Sequence, residues 1–284
     1  MRKFIQTIQN IWKIEDLRAR LLTTILFVLI YRFGSFVVLP GIDPTALSAL
    51  HAQTAGGLMA LLDMFSGGAF SNASIFALGI MPYISASIVI QLLTIAVPYF
   101  QKMQKEGESG RQKMNQITRY LTVAILLFQG PSYLVNLSVQ MAQAGQAVAV
   151  GFNWFTISST ILLCAGSMFV MWLGERITDR GIGNGISFII LIGIIARFPA
   201  AIIQEFSSRL NEGGGLMVFI LEIVFLLAVF AFAILLVQGT RRIPVQYAKR
   251  MVGNKQYGGV RQYIPLKVNS ANVMPIIFAQ AIMF

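Results

Sequence analysis

The residues that most often carry out chemistry are scarce in this chain of 284 residues. It has one histidine, His51, and one cysteine, Cys164. Because a protein zinc site uses about four His, Cys or acidic ligands, we expect no metal and no cofactor. A single cysteine also excludes a disulfide within the chain. A serine protease of the membrane would need a histidine inside an apolar span, and His51 lies outside every apolar run.

A glycine-rich motif, RGIGNG at residues 180–185, is the one candidate for a phosphate-binding loop. A P-loop ends in Lys followed by Ser or Thr and comes after a strand, and this motif has neither feature. A tight turn between two apolar runs explains its glycines better. The chain also lacks HExxH and GxSxG motifs. The sequence therefore indicates no enzyme.

Charged residues inside apolar runs are candidates for function, because a charge at membrane depth is costly. Arg32 lies within the first apolar run and Glu222 lies near the start of the sixth. We expect Glu222 to extend its carboxylate to the outer interface. Arg32 is expected to pair with a carboxylate or with the C-terminus of a helix. The sequence shows no pair of charges that would suggest a proton relay.

Apolar runs dominate the elements that must position these residues. The chain is 56% hydrophobic and 12% charged, whereas soluble domains carry about 25% charged residues. Since a membrane span needs about 20 apolar residues, we predict an all-α membrane protein with six spans, at residues 21–39, 75–97, 120–137, 155–174, 182–203 and 216–238. A seventh run begins near Ala271 and is too short to cross alone. We expect the chain to be part of a longer protein that is truncated within this seventh span.

The basic residues lie almost entirely on one side of the predicted membrane. Alternating loops hold 19 of the 22 Lys and Arg residues. By the positive-inside rule, this side and the N-terminus are cytoplasmic. The loop at residues 239–267 has seven basic residues, no acidic ones and several tyrosines. This mixture suits a phosphate-rich partner such as structured RNA, or an acidic protein surface.

A glycine-rich stretch at residues 56–74, GGLMALLDMFSGGAFSNAS, is too short to span. It is either an external loop with a short helix or a re-entrant segment. Irregular backbone at membrane depth occurs only where it is buried in protein or lines a cavity. The re-entrant alternative would imply a channel or a transporter. A small-solute secondary transporter is the second hypothesis, although such a protein needs polar groups that converge at the midplane.

Several stretches resemble the SecY family, whose members form the central subunit of the bacterial Sec protein-conducting channel. The match is collinear from about Arg20 to Phe284, and it is carried by FGSFVVLPGID (33–43), FSGGAFSNASIFALGIMPYISASIVIQLL (65–93), KEGESGRQK (105–113), MWLGERITDRGIGNGIS (171–187), RRIPVQYAKR (241–250) and PLKVNSANVMPIIFA (265–279). The resemblance implies an inverted-repeat helical bundle of ten spans, of which this chain has the first two-thirds. It divides the chain into a cytoplasmic segment at 1–20, a five-span half at 21–203 and the start of a second half at 204–284.

The resemblance also implies two structural devices of a channel. A short plug helix would fold into the channel from outside, formed by Leu62, Asp63, Met64, Phe65, Ser66, Gly67, Gly68, Ala69, Phe70 and Ser71. A ring of apolar side chains would form the pore constriction, with Ile80, Ile84, Ile190 and Ile277 at matching positions. Branched aliphatic side chains can surround a passing chain without binding it, and they hinder ions by dewetting.

The function implied by the resemblance is passage of unfolded polypeptides across the bacterial plasma (inner) membrane, with lateral release of apolar segments into lipid. The implied partners are the SecE and SecG subunits, the motor ATPase SecA, the ribosome, polypeptides that bear signal sequences, and membrane lipid. SecA or the ribosome would dock on basic residues of the loop at 239–267, namely Arg241, Arg242, Lys249, Arg250 and Lys255. The family's usual arginine pair is replaced by Asn254 and Lys255, and Lys lacks the bidentate fork of Arg.

Overall fold

The computed structural model describes residues 12–42, 63, 65–143, 152–211, 215–246, 250–252, 255–257 and 261–269. The helices in these ranges are α1 (Glu15–Gly34), α2 (Met81–Ala96), α3 (Pro98–Lys105), α4 (Glu108–Gln143), α5 (Phe152–Arg180), α6 (Gly185–Asn211) and α7 (Gly215–Gln238). The strands are β1 (Thr240–Gln246), β2 (Arg250–Val252), β3 (Lys255–Tyr257) and β4 (Arg261–Lys267). Contacts divide the chain into two units, Met1–Ala201 and Ile202–Phe284.

Four of the described helices, α4 to α7, are long and apolar enough to cross a membrane. The pair α2 and α3 adds a fifth span if its two helices, which meet at a bend of 100°, are counted as one. The predicted helical membrane fold is confirmed. The predicted spans 120–137, 155–174 and 182–203 are each shorter than the helix observed, because polar turns extend the helices beyond their apolar runs. The predicted seventh run lies outside the described residues.

The first two predicted spans differ most from the observed helices. Helix α1 begins at Glu15 and ends at Gly34, and the chain beyond it forms an antiparallel bridge between Val38 and Ser74. Helix α2 begins at Met81 rather than at Ile75. Gly79, two residues before Met81, has a φ of +52°, which a right-handed helix does not contain. Pro82 occupies the first turn of α2, where its missing N–H costs no hydrogen bond.

Two apolar clusters form the core of the first unit. One cluster combines residues of the chain beside α1 with residues of α4 and α5, and its members include Leu39, Phe70, Tyr133, Leu134 and Leu163. The other cluster combines α1, α2, α5 and α6, and its buried members are Tyr31, Ala69, Phe76, Ile80, Val170, Leu173, Ile177 and Ile189. Ala69 and Phe70 therefore belong to different clusters although they are neighbours in the chain.

The second unit contains α7 and the four strands. None of the residues in the most apolar stretch of α7 is buried in the described structure, as suits a helix that packs against lipid or other spans. Strands β1 and β4 pair antiparallel from Thr240 opposite Lys267 to Gln246 opposite Arg261. Strands β2 and β3 form a shorter antiparallel pair. The loop that was expected only to be basic thus contains two small sheets, an addition to the predicted all-α class.

Candidate functional site

The glycine-rich segment, here Asp63 together with residues 65–80, enters α2 through consecutive turns. Asp63 and Phe65 are helical, whereas residues 66–80 form turns apart from a bridge at Ser74. The short helix predicted for 62–71 is therefore wrong from Ser66 onward. Gly67 and Gly68 have φ values of +65° and +91°, which end a right-handed helix. Leu62 and Met64 lie outside the described residues.

Asp63 organises the turns of this segment. Its Oδ1 accepts a hydrogen bond from the Ser71 N–H at 2.9 Å. Its carbonyl oxygen accepts one from the Gly68 N–H at 2.9 Å and one from the Ser66 hydroxyl at 3.1 Å. A carboxylate that accepts from a buried backbone N–H satisfies a donor that would otherwise be costly. The one acidic residue of the segment therefore holds both ends of a tight loop together.

The segment packs directly on the backbone of α6. A Cβ added to Gly67 would lie 2.9 Å from the Gly193 Cα, and one added to Gly193 would lie 2.6 Å from the Phe65 carbonyl oxygen. Neither distance leaves room for a side chain. The two glycines thus allow main chain to meet main chain, as small residues do between membrane helices.

Three side chains from α1 and α4 donate to carbonyl oxygens of the segment. The Tyr31 hydroxyl donates to Ser66 at 3.2 Å, and the Tyr133 hydroxyl donates to Phe70 at 2.8 Å. Arg32 donates from Nη1 to Gly67 at 3.0 Å. The predicted partner of Arg32, a carboxylate or a helix C-terminus, is wrong, because the turns leave unpaired carbonyls closer to it. Irregular backbone needs such donors when it is buried.

An ion pair joins the segment to α6. Arg197 Nη1 lies 2.5 Å from Asp63 Oδ2, and Arg197 Nη2 donates to the Ser71 hydroxyl at 3.0 Å. The guanidinium also covers Gly68, where an added Cβ would lie 3.1 Å from Nε and Nη2. This pair was not predicted from the sequence, where the only statement on paired charges was that none suggests a proton relay. The sequence did contain a signal for this pair, because Asp63 is the lone acid of the glycine-rich segment and Arg197 is the lone base of an apolar run.

Three of the four predicted ring residues come together in the second core cluster. Ile80 is buried within it, and Ile84 and Ile190 pack against it half-buried. The contacts combine the start of α2 with α5 and α6. Ile277 lies outside the described residues. The described ring residues therefore share a cluster that also contains Tyr31 and Phe76, and Ile80 is the last residue of the glycine-rich segment.

The predicted docking residues lie on the strands of the second unit. Arg241 and Arg242 are exposed on β1, opposite Leu266 and Pro265 of β4. The backbones of Arg250 and Lys255 lie on β2 and β3. Lys249 lies outside the described residues.

Glu222 has a different environment from the one predicted. Instead of extending alone to an interface, its Oε1 lies 2.5 Å from Nη2 of Arg209. Arg209 also pairs with Glu205 at 2.9 Å. The second carboxylate oxygen of Glu222 is buried and has no hydrogen-bond partner within the described part of the chain. The pair neutralises two charges near the ends of α6 and α7, within the second unit.

No catalytic or metal chemistry is apparent in the described ranges. Among those residues, no group of three or more His, Cys, Asp or Glu could hold a metal ion. The site instead combines an irregular segment, fixed by hydrogen bonds and one ion pair, with an aliphatic contact beside it. Such an arrangement can block or line a passage.

The SecY family profile matches residues 74–284 of the chain. Curated relatives named "Protein translocase subunit SecY" are 46% identical over 272 residues in Pseudomonas aeruginosa and 45% identical over 267 residues in Escherichia coli K12. Another from Streptomyces scabiei is 44% identical over 280 residues. These alignments cover 94–96% of this chain and 60–64% of the relatives. The chain therefore spans about six-tenths of the length of these relatives.

Solved structures with the same fold include one described as a protein conducting channel, with a TM-score of 0.58 and 17% identity. A second has a TM-score of 0.56 and 19% identity, and it concerns the plug domain of SecY, which stabilises the closed state of that translocation channel. A third is Sec61 in a canine ribosome-channel complex, with a TM-score of 0.54 and 16% identity. Each match covers 93% of this chain and 56% of the solved chain.

Proposed function

The chain belongs to the SecY family, and we propose that this multi-pass membrane protein is the central subunit of a channel that conducts unfolded polypeptides. In this proposal it also releases apolar segments laterally into the lipid. The observation that carries the proposal is the glycine-rich segment, which side chains of α1, α4 and α6 hold in place. The last residue of the segment, Ile80, packs in the core cluster that contains the other described ring residues. That arrangement is suited to a plug above a constriction.

The proposed constriction acts without chemistry of its own. Ile80, Ile84 and Ile190 offer branched aliphatic surfaces that contact any polypeptide equally and form no hydrogen bonds with it. An apolar constriction also hinders ions, because a narrow apolar passage empties of water. Ile277 is proposed as a further member from its position in the family motif. Directed movement would then need an external energy source, which we propose to be SecA or the ribosome.

Crosslinking of a stalled substrate tests the channel proposal. A photo-crosslinking amino acid replaces Ile84 or Ile190 in the full-length protein, and a secretory precursor is arrested during transport. We expect both positions to crosslink to the precursor only when the motor and ATP are present. Phe128 on α4, which is 82% exposed, is the matched control and should crosslink to lipid instead. The proposal is contradicted if the precursor crosslinks to Phe128 as efficiently as to Ile84 and Ile190, or if it crosslinks to none of these positions.

We also propose the partners and location that the family resemblance implies. These are SecE, SecG, SecA and the ribosome, in the bacterial inner membrane with the N-terminus in the cytoplasm. One of the solved structures with the same fold, Sec61 in a ribosome-channel complex, supports a ribosome as a partner. Exposed cations on β1 support a docking surface for an anionic partner, because exposed charge steers association.

Charge reversal tests the proposed docking surface. Arg241→Glu together with Arg242→Glu should weaken binding of ribosomes or SecA to membranes by about tenfold or more, because two attractive charges become repulsive. Binding is measured by co-sedimentation with membrane vesicles at low salt. The paired control, Arg241→Lys with Arg242→Lys, keeps the charge and should bind nearly normally. Unchanged affinity of the Glu variant for both partners would exclude this surface.

A further inference from the structure

We propose that Asp63 and Arg197 form an electrostatic latch that holds the glycine-rich segment in its closed position, so that the segment leaves only when this ion pair separates. The inference rests on the proposed function, in which this segment is the plug. It concerns what fixes the segment in this chain. The candidates for that role are the side chains of α1, α4 and α6 that contact it.

The geometry distinguishes Arg197 from the other contacts. Tyr31, Arg32 and Tyr133 donate to backbone carbonyls, which can accept from water equally well once the segment moves. Arg197 instead meets a charged group, at 2.5 Å, and reaches the Ser71 hydroxyl with its second nitrogen. It therefore holds both ends of the loop that Asp63 and Ser71 close. Arg32 also donates from a charged group, but its acceptor is a neutral carbonyl, whereas both groups of the Asp63–Arg197 pair are charged.

The burial of the two partners is unequal. The Asp63 side chain is 3% exposed, whereas that of Arg197 is 43% exposed. Arg197 can therefore turn away from the segment while α6 stays in place, but Asp63 can leave its buried position only if the segment that carries it moves out. Removing Arg197 would leave a buried, unpaired carboxylate, which strongly favours departure of the segment. The pair thus opposes opening while it is intact and promotes opening when it is broken.

Other described charges do not replace Arg197 in this role. Arg32 also contacts the segment, through the Gly67 carbonyl, and its guanidinium lies 5.3 Å from the ring centre of Phe36. Among the described ion pairs, Asp63 has Arg197 as its partner and Arg32 has none. The latch is therefore one pair, and because Asp63 is its buried member, removing the charge of Arg197 should have the larger effect.

Hydrogen exchange of the segment tests the latch without requiring transport. Asp63→Asn keeps an oxygen that can accept from the Ser71 N–H but removes the charge, and Arg197→Gln removes the opposite charge. In the full-length protein in lipid nanodiscs, we expect exchange of the peptide that contains Gly68, Ser71 and Ser74 to be about tenfold faster in Asp63→Asn, because local opening controls exchange. It should be faster still in Arg197→Gln, which leaves a buried, unpaired carboxylate. The double variant has no buried, unpaired charge and should exchange no faster than Arg197→Gln alone, since the effects of coupled residues are not additive.

Two controls separate the latch from general destabilisation. Arg209→Gln breaks an ion pair of the same length with Glu222 in the second unit and should leave exchange of the segment unchanged. Arg197→Lys keeps a cation and should restore most of the protection. Wild-type exchange in both single variants overturns the latch. Effects that multiply in the double variant overturn it as well, because they would mean that the two charges act independently.

Transport of a precursor by the wild-type protein is measured in parallel. If the wild-type protein transports the precursor but exchange in the variants is unaltered, the latch is rejected and the channel proposal is supported. If exchange is faster in the variants but the wild-type protein does not transport the precursor, the latch is supported and the channel proposal is rejected. With both results as expected, the single variants should also raise the ion conductance of the idle channel above the wild-type level.

Discussion

Gly67 meets two separate steric requirements, and a matched pair of variants can separate them. Its φ of +65° disfavours any residue with a Cβ, and a Cβ there would also lie 2.9 Å from the Gly193 backbone. Gly107 has a φ of +74° and nothing within 4 Å of its virtual Cβ. Gly107→Ala should therefore cost about 1 kcal/mol, the cost of the left-handed conformation alone. Gly67→Ala should cost clearly more, measured by thermal unfolding in detergent. Equal losses would show that the segment does not pack on α6.

Tyr133 offers a second measurement at this scale. Its hydroxyl donates to the Phe70 carbonyl at 2.8 Å, deep in the first core cluster. That carbonyl also accepts from the Ala73 N–H at 3.2 Å, so Tyr133→Phe removes one of its two donors and should lower the free energy of unfolding by about 0.5–1.5 kcal/mol. The control is Tyr120→Phe on the same helix, where the side chain is 75% exposed and the change should be close to neutral. A loss of the same size in both variants would contradict the assigned hydrogen bond.

The sequence drew attention to some of these residues but not to their partners. Arg32 was recognised because a charge in an apolar run is costly, yet its acceptor is a backbone carbonyl, which every residue carries and no sequence pattern marks. Asp63 and Arg197 are 134 positions apart, and only the tertiary packing of the turns on α6 brings them together. The assignments of Ile80, Ile84 and Ile190 to a pore remain predictions, although the structure gathers them in one cluster.

At the scale of elements, the glycine-rich segment should be separable from the helices around it. It contributes Ala69 to one core cluster and Phe70 to the other, so it fills space between helices. If it is a plug, deleting residues 62–71 from the full-length protein opens that space to water. We expect the ion conductance of the idle channel in planar bilayers to rise several-fold over that of the intact protein. A conductance at background level would exclude the plug function.

Helix positions followed from hydropathy where apolar runs are uninterrupted. The predicted span 216–238 differs from α7 by one residue, because the run is apolar throughout and its ends are polar or glycine-rich. The prediction for 75–97 was less accurate because hydropathy does not register backbone conformation. Gly79 and Pro82 set the start of α2 at Met81, and the apolar residues before them form turns. The family resemblance, rather than hydropathy, implied a helix over 62–71, and the positive φ of Gly67 and Gly68 prevents it from Ser66 onward.

At the scale of the whole molecule, the distribution of charge gives the clearest prediction, which is the orientation of the chain in the membrane. The predicted loops of one side hold 19 of the 22 basic residues. The segment that we propose as a plug belongs to the opposite side in that topology. The docking and plug functions would then act at opposite faces of the membrane. This separation follows from sequence alone, since charge counts need no tertiary structure, whereas the contacts that fix the segment could not be obtained that way.

The orientation itself can be tested with cysteines introduced into a Cys164→Ser background. Pro40→Cys lies beyond α1 and Gln104→Cys lies at the end of α3, and both positions are exposed. Because the basic side faces the cytoplasm under the positive-inside rule, a membrane-impermeant maleimide added to spheroplasts should label Pro40→Cys and leave Gln104→Cys unmodified. Inverted membrane vesicles should give the reverse, and detergent should expose both. Labelling of Gln104→Cys in intact spheroplasts would place the basic loops outside and reject the proposed docking face along with the orientation.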